Sequence, residues 1–223
     1  MSFFFDGLDD ILDSGAVTSL GLIVTFFARI KPTDWGEGGR GVVIGWGASA
    51  DGSRYHLATS LSTFGTQTAT FGVSRSTQAR WNFPNNTIQL NKWQSIAATF
   101  DGTVVANDPR LYYKGLEVAR VEVAQGAGAL TQTPTTTYVG NADTLARTFE
   151  GLISEAVIWL RVLAPEEIAL VHLRGPLASP RDLYLWWRGS PTATGRDLSG
   201  WGRNATVTGS LFNADNPPVA MVP

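Results

Sequence analysis

The residues able to do chemistry in this chain are few and mostly acidic. Asp6, Asp9, Asp10 and Asp13 fall together in "FFFDGLDDILD" near the start. Calcium takes about six to eight oxygen ligands, so a cluster of carboxylates is the natural place to look for it. Asp6, Asp9 and Asp10 are therefore the candidate metal ligands. The competing reading is an acidic turn whose Asp side chains bond their own backbone. The turn is preferred, because the spacing of a calcium-binding loop is absent. No cofactor is expected, with calcium at this turn the one candidate. Asp197, Ser199 and Asn204 in "DLSGWGRN" are read the same way, as a Gly-stabilised turn.

A second acidic pair, Glu150 and Glu155, lies in "FEGLISEAVIWL". A glycosidase needs two carboxylates converging on one bond. Residues an odd number apart in a regular strand point to opposite faces, so this pair is not expected to converge. The chain has two histidines and no cysteine. A multi-His zinc site, a disulfide framework and a thiolate nucleophile are all excluded. His56, in "RYHLAT", is expected as an exposed strand residue. His172 is expected to oppose the dipole at a helix C-terminus. No Gly-X-Ser-X-Gly elbow is present. "WGEGGRG" and "QGAGAL" lack the Lys-Ser/Thr of a phosphate loop. No catalytic residue is assigned.

Aromatic residues are the richer resource, with eight tryptophans among 223 residues. Trp35, Trp81 and Trp201 fall in loops or turns. They are candidates to stack on a sugar ring or to meet a protein partner. Net charge is −2 and no basic patch is visible, so neither nucleic acid nor an anionic membrane is an expected partner. "SLGLIVTFFARI" is too short to cross a bilayer. The start, "MSFFFDGLDD", lacks the basic and apolar regions of a signal peptide, which predicts folding in a cytoplasm.

These side chains must be positioned by strands. Short runs rich in Val, Ile, Phe, Tyr and Thr recur between Gly, Asp, Asn and Pro: "GLIVTFFARI", "VVIGWG", "RYHLATSL", "TATFGVS", "WQSIAATF", "RLYYKGLEV", "TTTYVG" and "LISEAVIWLRVL". A turn is expected at "ADGS" (50–53). That spacing predicts an all-β antiparallel sandwich. One short α-helix is expected near 165–174. Pro165 suits its first turn, Glu166 and Glu167 suit its N-terminus, and Gly175-Pro176 stop it. Residues 1–175 read as one sandwich. Residues 176–223 read as a Pro-rich C-terminal extension with strands at "LYLWW" and "ATVTGSLF", packing on the sandwich or on a neighbour.

Four stretches taken together resemble the laminin-G-like, concanavalin A-like jelly-roll domains: "FFDGLDDIL", "IVTFFARIKP", "NKWQSIAATFDG…LYYKGLEV" and "YVGN…FEGLISEAVIWLRVLAPEEI". The resemblance covers roughly Ser2 to Arg174 and implies a core role for Trp93. "DLSGWGRNATVTG" is similar to an Asp-Ser-Gly-X-Gly turn that such domains carry before the opening strand; here it comes last. With the terminal "NPPV", the chain looks like domains of tailed-bacteriophage structural modules. The resemblance implies a non-enzymatic virion component, such as a capsid decoration, head-fibre or tail protein. It would act as an oligomer on other virion proteins such as the major capsid protein, with host-surface glycan as a further partner. The alternative is a lectin-like carbohydrate-binding module or adhesin. A glycoside hydrolase is the second alternative, and no site supports it.

One stretch breaks the pattern. "AVIWLRVL" is apolar at nearly every position, so both faces of its strand need cover. Val157 and Trp159 on one face, with Trp186 and Trp187 of "LYLWW", are the expected partner contacts. The tail is expected to cover part of that face and a neighbouring subunit the rest.

Overall fold

The computed structural model describes residues 1–15, 19–47, 55–61, 67–130, 135–189 and 195–217. The turn expected at 50–53 and the last part of "NPPV" lie outside the described residues. In chain order the strands are β1 (Ser2–Asp6), β2 (Ile11–Asp13), β3 (Ile23–Pro32), β4 (Arg40–Trp46), β5 (Tyr55–Leu61), β6 (Gln67–Ser74), β7 (Gln78–Asn82) and β8 (Gln94–Asp101). Then follow β9 (Arg110–Tyr113), β10 (Leu116–Val118), β11 (Val121–Ala124), β12 (Thr137–Val139) and β13 (Glu150–Trp159). The helix α1 (Pro165–Arg174) precedes β14 (Leu183–Arg188), β15 (Thr206–Thr208) and β16 (Leu211–Asn213).

The strands form two sheets, as the turn spacing predicts. One runs β10-β9-β8-β3-β13-β1-β16, with β14 also paired to β13. The other runs β11-β7-β6-β5-β4-β12-β2-β15. Their inner faces meet in one aromatic core. Phe26 and Phe100 from the first sheet pack on Tyr55, Phe71 and Trp81 from the second, with ring centroids 5.9–6.4 Å apart in several edge-on or tilted pairs. Such geometries suit the ring quadrupole. The β9–β10 hairpin turns at Lys114-Gly115, both at positive φ, as a tight two-residue hairpin requires. Val121 onward leaves that hairpin and joins β7 in the other sheet.

Strand β13 answers the broken alternation. Ala156 and Ile158 face the shared core. Val157 and Trp159 face outward, into a second cluster with Phe27, Tyr112, Leu163, Leu183 and Trp186. Ile168 and Val171 of α1 close this cluster. The Trp159 indole N–H donates to Ser179 O at 2.7 Å. The expectation that Val157, Trp159, Trp186 and Trp187 contact a partner is thereby corrected. All four are buried within the chain itself. Trp187 points into the main core and donates its N–H to Arg203 O. The reason is geometric: α1 lies over the outer face of β13 and covers Val157, Trp159 and Trp186, while Trp187 turns to the inner face.

The C-terminal segment is part of both sheets. β1 and β14 lie end to end along one edge of β13, β1 against residues 150–153 and β14 against residues 155–159. The register of β13 against β3 slips between Ile153 and Glu155, where one neighbour gives way to the other. β16 pairs with β1, and β15 pairs with β2 in the opposite sheet. Asp215 binds Lys31 Nζ at 2.6 Å and the Trp93 indole N–H at 3.1 Å. The segment from 176 therefore completes the sandwich rather than extending it. Trp93 is half-buried under this segment instead of lying in the central core.

Candidate functional site

The two outer faces of the sandwich differ. That of the first sheet is apolar and covered by α1. That of the second sheet is built on β5, β6 and β7, which alternate. Leu57, Ala69, Phe71, Ala79 and Trp81 point inward, which turns His56, Thr70, Arg80 and Asn82 outward. Cross-strand pairing sets these in rows: His56–Gly72–Arg80 and Ala58–Thr70–Asn82. A groove of about 530 Å³ runs over them. Arg40, Thr70, Arg80, Asn82, Glu122 and Arg147 line it, with exposed Leu61, Val121 and Val123 along its rim.

Arg40 is the centre of the electrostatics. Its guanidinium is pulled down to about 10, first by burial and then by the neighbouring charges of Arg80 and Arg147. One of its terminal nitrogens lies against His56 Nε2. Its Nε is buried without a hydrogen-bond partner. His56 is fully buried beneath Arg40, not exposed as the sequence reading expects. The ring fits there because position 72 is glycine.

The three tryptophans proposed for ligand stacking part company. Trp35 and Trp81 belong to the core. Trp81 lies in β7, a strand the sequence reading assigned to loop, and its N–H donates to Asp108 Oδ1 at 3.1 Å. Neither can stack on a ligand. Trp201 is 67% exposed. Its N–H donates to Leu183 O, and the Arg203 guanidinium sits 5.0 Å from its ring centroid. It stands outside the groove.

Asp6, Asp9 and Asp10 do come together, with carboxylate oxygens within 4.8 Å of one another. Two of the carboxylates already serve the turn: Asp10 accepts from the Asp6 N–H at 2.7 Å, and Asp6 from the Leu8 N–H at 2.9 Å. Burial raises the Asp10 carboxyl above its ordinary value, with the Asp6 and Asp9 charges pushing the same way against the Asp6 N–H bond. With two of the three carboxylates taken by backbone bonds, the cluster falls short of a calcium cage. The Asp197 turn is satisfied likewise: Asp197 accepts from the backbone N–H groups of Trp186, Ser199 and Arg203.

The remaining titratable candidates hold α1 to the sheet. Glu155 pairs with Arg29 at 2.7 Å, and Arg29 also donates to the carbonyls of Val171 and His172 at the end of α1. His172 Nδ1 meets Ser95 Oγ at 2.8 Å. Burial, then the Arg29 and Lys114 charges, lower its pKa, so it sits neutral in the last helical turn and does not act as a cation on the dipole. The register slip in β13 removes the parity argument separating Glu150 from Glu155. Distance separates them instead, at roughly 15 Å along the strand, beyond the ~5–9.5 Å of a glycosidase pair.

Sequence reading missed Arg40, Arg80 and Arg147. Arg80 was legible in principle: "QARWN" alternates polar and apolar, which makes it a strand with Arg80 outward. Arg147 comes from the 140–149 loop and reaches the groove only through the fold.

Residues 12–169 match the laminin G type of the concanavalin A-like lectin/glucanases superfamily. A search of curated proteins finds no match. Among solved structures, a Bacteroides ovatus protein assigned to carbohydrate binding superposes with a TM-score of 0.66 at 16% identity, covering 95% of this chain and 59% of that one. A heptameric SAP-like pentraxin from Limulus polyphemus gives 0.58 at 16% identity, over 81% and 82% of the two chains. The CBM40 of a Ruminococcus gnavus sialidase, bound to α2,3 sialyllactose, gives 0.54 at 14% identity, over 77% and 97%.

Proposed function

The chain belongs to the concanavalin A-like lectin/glucanases superfamily, and from that premise we propose that it is a non-enzymatic glycan-binding module. The observation that carries this reading is the polar groove on the outer face of the second sheet. Concave sites with a few convergent polar groups are where small ligands bind. Asn82 and the arginines supply donors and acceptors for hydroxyls, while Leu61, Val121 and Val123 offer apolar surface for the C–H face of a ring. Carbohydrate-binding proteins among the structural neighbours support the same reading. On the α1 side a smaller pocket of about 380 Å³ is lined by Arg29, Glu155, Arg174 and Arg188, and its Glu155 carboxylate is already engaged by Arg29.

A glycan array with the purified protein tests it. Competable binding that is lost in Asn82→Ala supports the module. Uniformly blank arrays, with the protein folded by circular dichroism, overturn it.

One observation favours a further reading of where such a module works. The "DLSGWG" turn lies in the C-terminal segment, and the strands that follow it complete both sheets. That arrangement supports the resemblance to domains of bacteriophage particles, on which a glycan-binding module would serve adhesion to the host surface. Labelled antibody on intact particles, or a gene lying apart from head and tail genes, decides between display there and elsewhere.

A further inference from the structure

The groove is positively charged in a chain whose net charge is −2. Arg40, Arg80 and Arg147 enter it from β4, β7 and the 140–149 loop, three separate parts of the chain. Among the described residues none of the three makes an ion pair, whereas Arg29, Arg120 and Arg161 each have a carboxylate within 2.7 Å. The acid on the groove lining is Glu122, which is exposed, and Gln125 donates to its carboxylate. Glu37, near Arg147 in the fold, accepts from the Thr148 N–H instead.

Holding a buried guanidinium beside two others costs free energy in both desolvation and like-charge repulsion. Folding alone gains nothing from that arrangement. A neutral sugar would not relieve it, because hydroxyls bring no charge. An anion would: guanidinium forks bind carboxylate or sulfate through paired, charge-assisted hydrogen bonds. The Arg40 Nε, buried and unpartnered, is a donor still to be used. Asn82, two residues along β7 from Arg80 on the same face, would meet neutral hydroxyls.

Resting on the glycan-binding reading above, we propose that the groove takes an acidic saccharide, its anionic group seated among Arg40, Arg80 and Arg147. A carboxylate of a uronic or nonulosonic acid and a sulfate ester share the required chemistry. Arg40 holds the deep end of the anion, and Arg80 and Arg147 close on it from the rim. The apolar rim and the polar row then read the ring that carries it.

The test is titration calorimetry with the full chain against four probes: a neutral oligosaccharide, its carboxylated analogue, its sulfated analogue, and inorganic sulfate. Arg80→Gln and Arg147→Gln are the variants, since both side chains lie toward the surface and their loss leaves the core intact. Melting curves check that each folds. The expected result is binding of at least one acidic sugar with about tenfold or greater preference over the neutral one, as two charge-assisted bonds imply. Each variant loses about tenfold for the acidic sugar, and affinity falls as salt rises. The carboxylated and sulfated arms identify the anion. Equal binding of the neutral sugar, unchanged in the variants, overturns the inference and leaves the glycan module standing. Inorganic sulfate binding as tightly as the sugars overturns the saccharide in favour of a bare anion site. Blank titrations with every probe overturn both readings.

Discussion

The imidazole of His56 lies directly over Gly72 on the neighbouring strand, where a Cβ would come within 2.0 Å of His56 Cε1. His56 in turn meets a terminal nitrogen of Arg40. A missing side chain on β6 thus seats the ring on which the deepest groove residue rests. Gly72→Ala should force His56 and Arg40 to move, with about 1–3 kcal/mol of destabilisation from overpacking. Binding at the groove should weaken with it. Urea denaturation and calorimetry on the same preparation check both parts. Wild-type stability and affinity in the variant would show that the ring has room after all.

Trp159 separates an internal role from an interface role. It is fully buried under α1. Trp159→Ala should destabilise the chain by about 3–5 kcal/mol, the usual cost of removing a buried indole. It should leave the oligomeric state of the remaining folded protein unchanged. Sedimentation velocity of both forms gives the answer, and a shift in association state would return this face to the role of a partner contact.

The Arg29–Glu155 pair is nearly buried, with side chains 14% and 8% exposed. Arg29 also satisfies the last carbonyls of α1, so the pair joins the sheet to the helix. Removing Glu155 leaves the Arg29 guanidinium nearly buried without a carboxylate, whereas Glu155 keeps Arg188 at 3.9 Å when Arg29 is removed. Glu155→Ala should cost about 3–5 kcal/mol. The double variant with Arg29→Ala should lose less than the sum of the two single changes, because the second truncation removes the orphaned charge. Additive losses in a denaturation cycle would mean that the two side chains act independently.

Acid should loosen the helix side first. The Glu167 carboxyl is held down to about 2 by the bond from Arg161, aided by those from Ser179 and the Ala164 N–H. A carboxyl lowered on folding contributes stability that is complete above its ordinary value of 4.5 and is lost as pH falls toward 2. His172 is also lowered, by burial, so the unfolded chain takes up its proton first and stability declines as pH drops below 6.5. Thermal melting from pH 8 to 3 should show a fall in two stages. In Glu167→Gln the lower stage should shrink, and in His172→Gln the upper one. A flat profile in the parent protein contradicts both assignments.

How much of this was legible in the sequence follows from periodicity. The sandwich, the helix over 165–174 and the two-faced character of β13 are local properties of residue type and spacing. Val157 and Trp159 fall on one face and Ala156 and Ile158 on the other by strand geometry alone. What covered the first pair was not local. Helix α1 could have faced solvent or a second chain until Ile168 and Val171 met Trp159 across the sheet. The same holds for the tryptophans: "QARWN" carries the alternation that buries Trp81, but without its partners β6 and β11 it reads as a loop between turns.

The groove divides along the same line. By itself the sequence determined that β5 and β6 would each show one polar face, because alternating residues in a strand cannot share a side. It determined that no cysteine or histidine cluster could build a metal centre. Only the tertiary structure decided that Arg40, Arg80 and Arg147, each unremarkable among its neighbours, would converge within one concavity. Residues separated by 40, 67 and 107 positions meet through sheet order and loop path. These are fixed by which faces pack and which strands pair, not by any signal carried in the residues themselves.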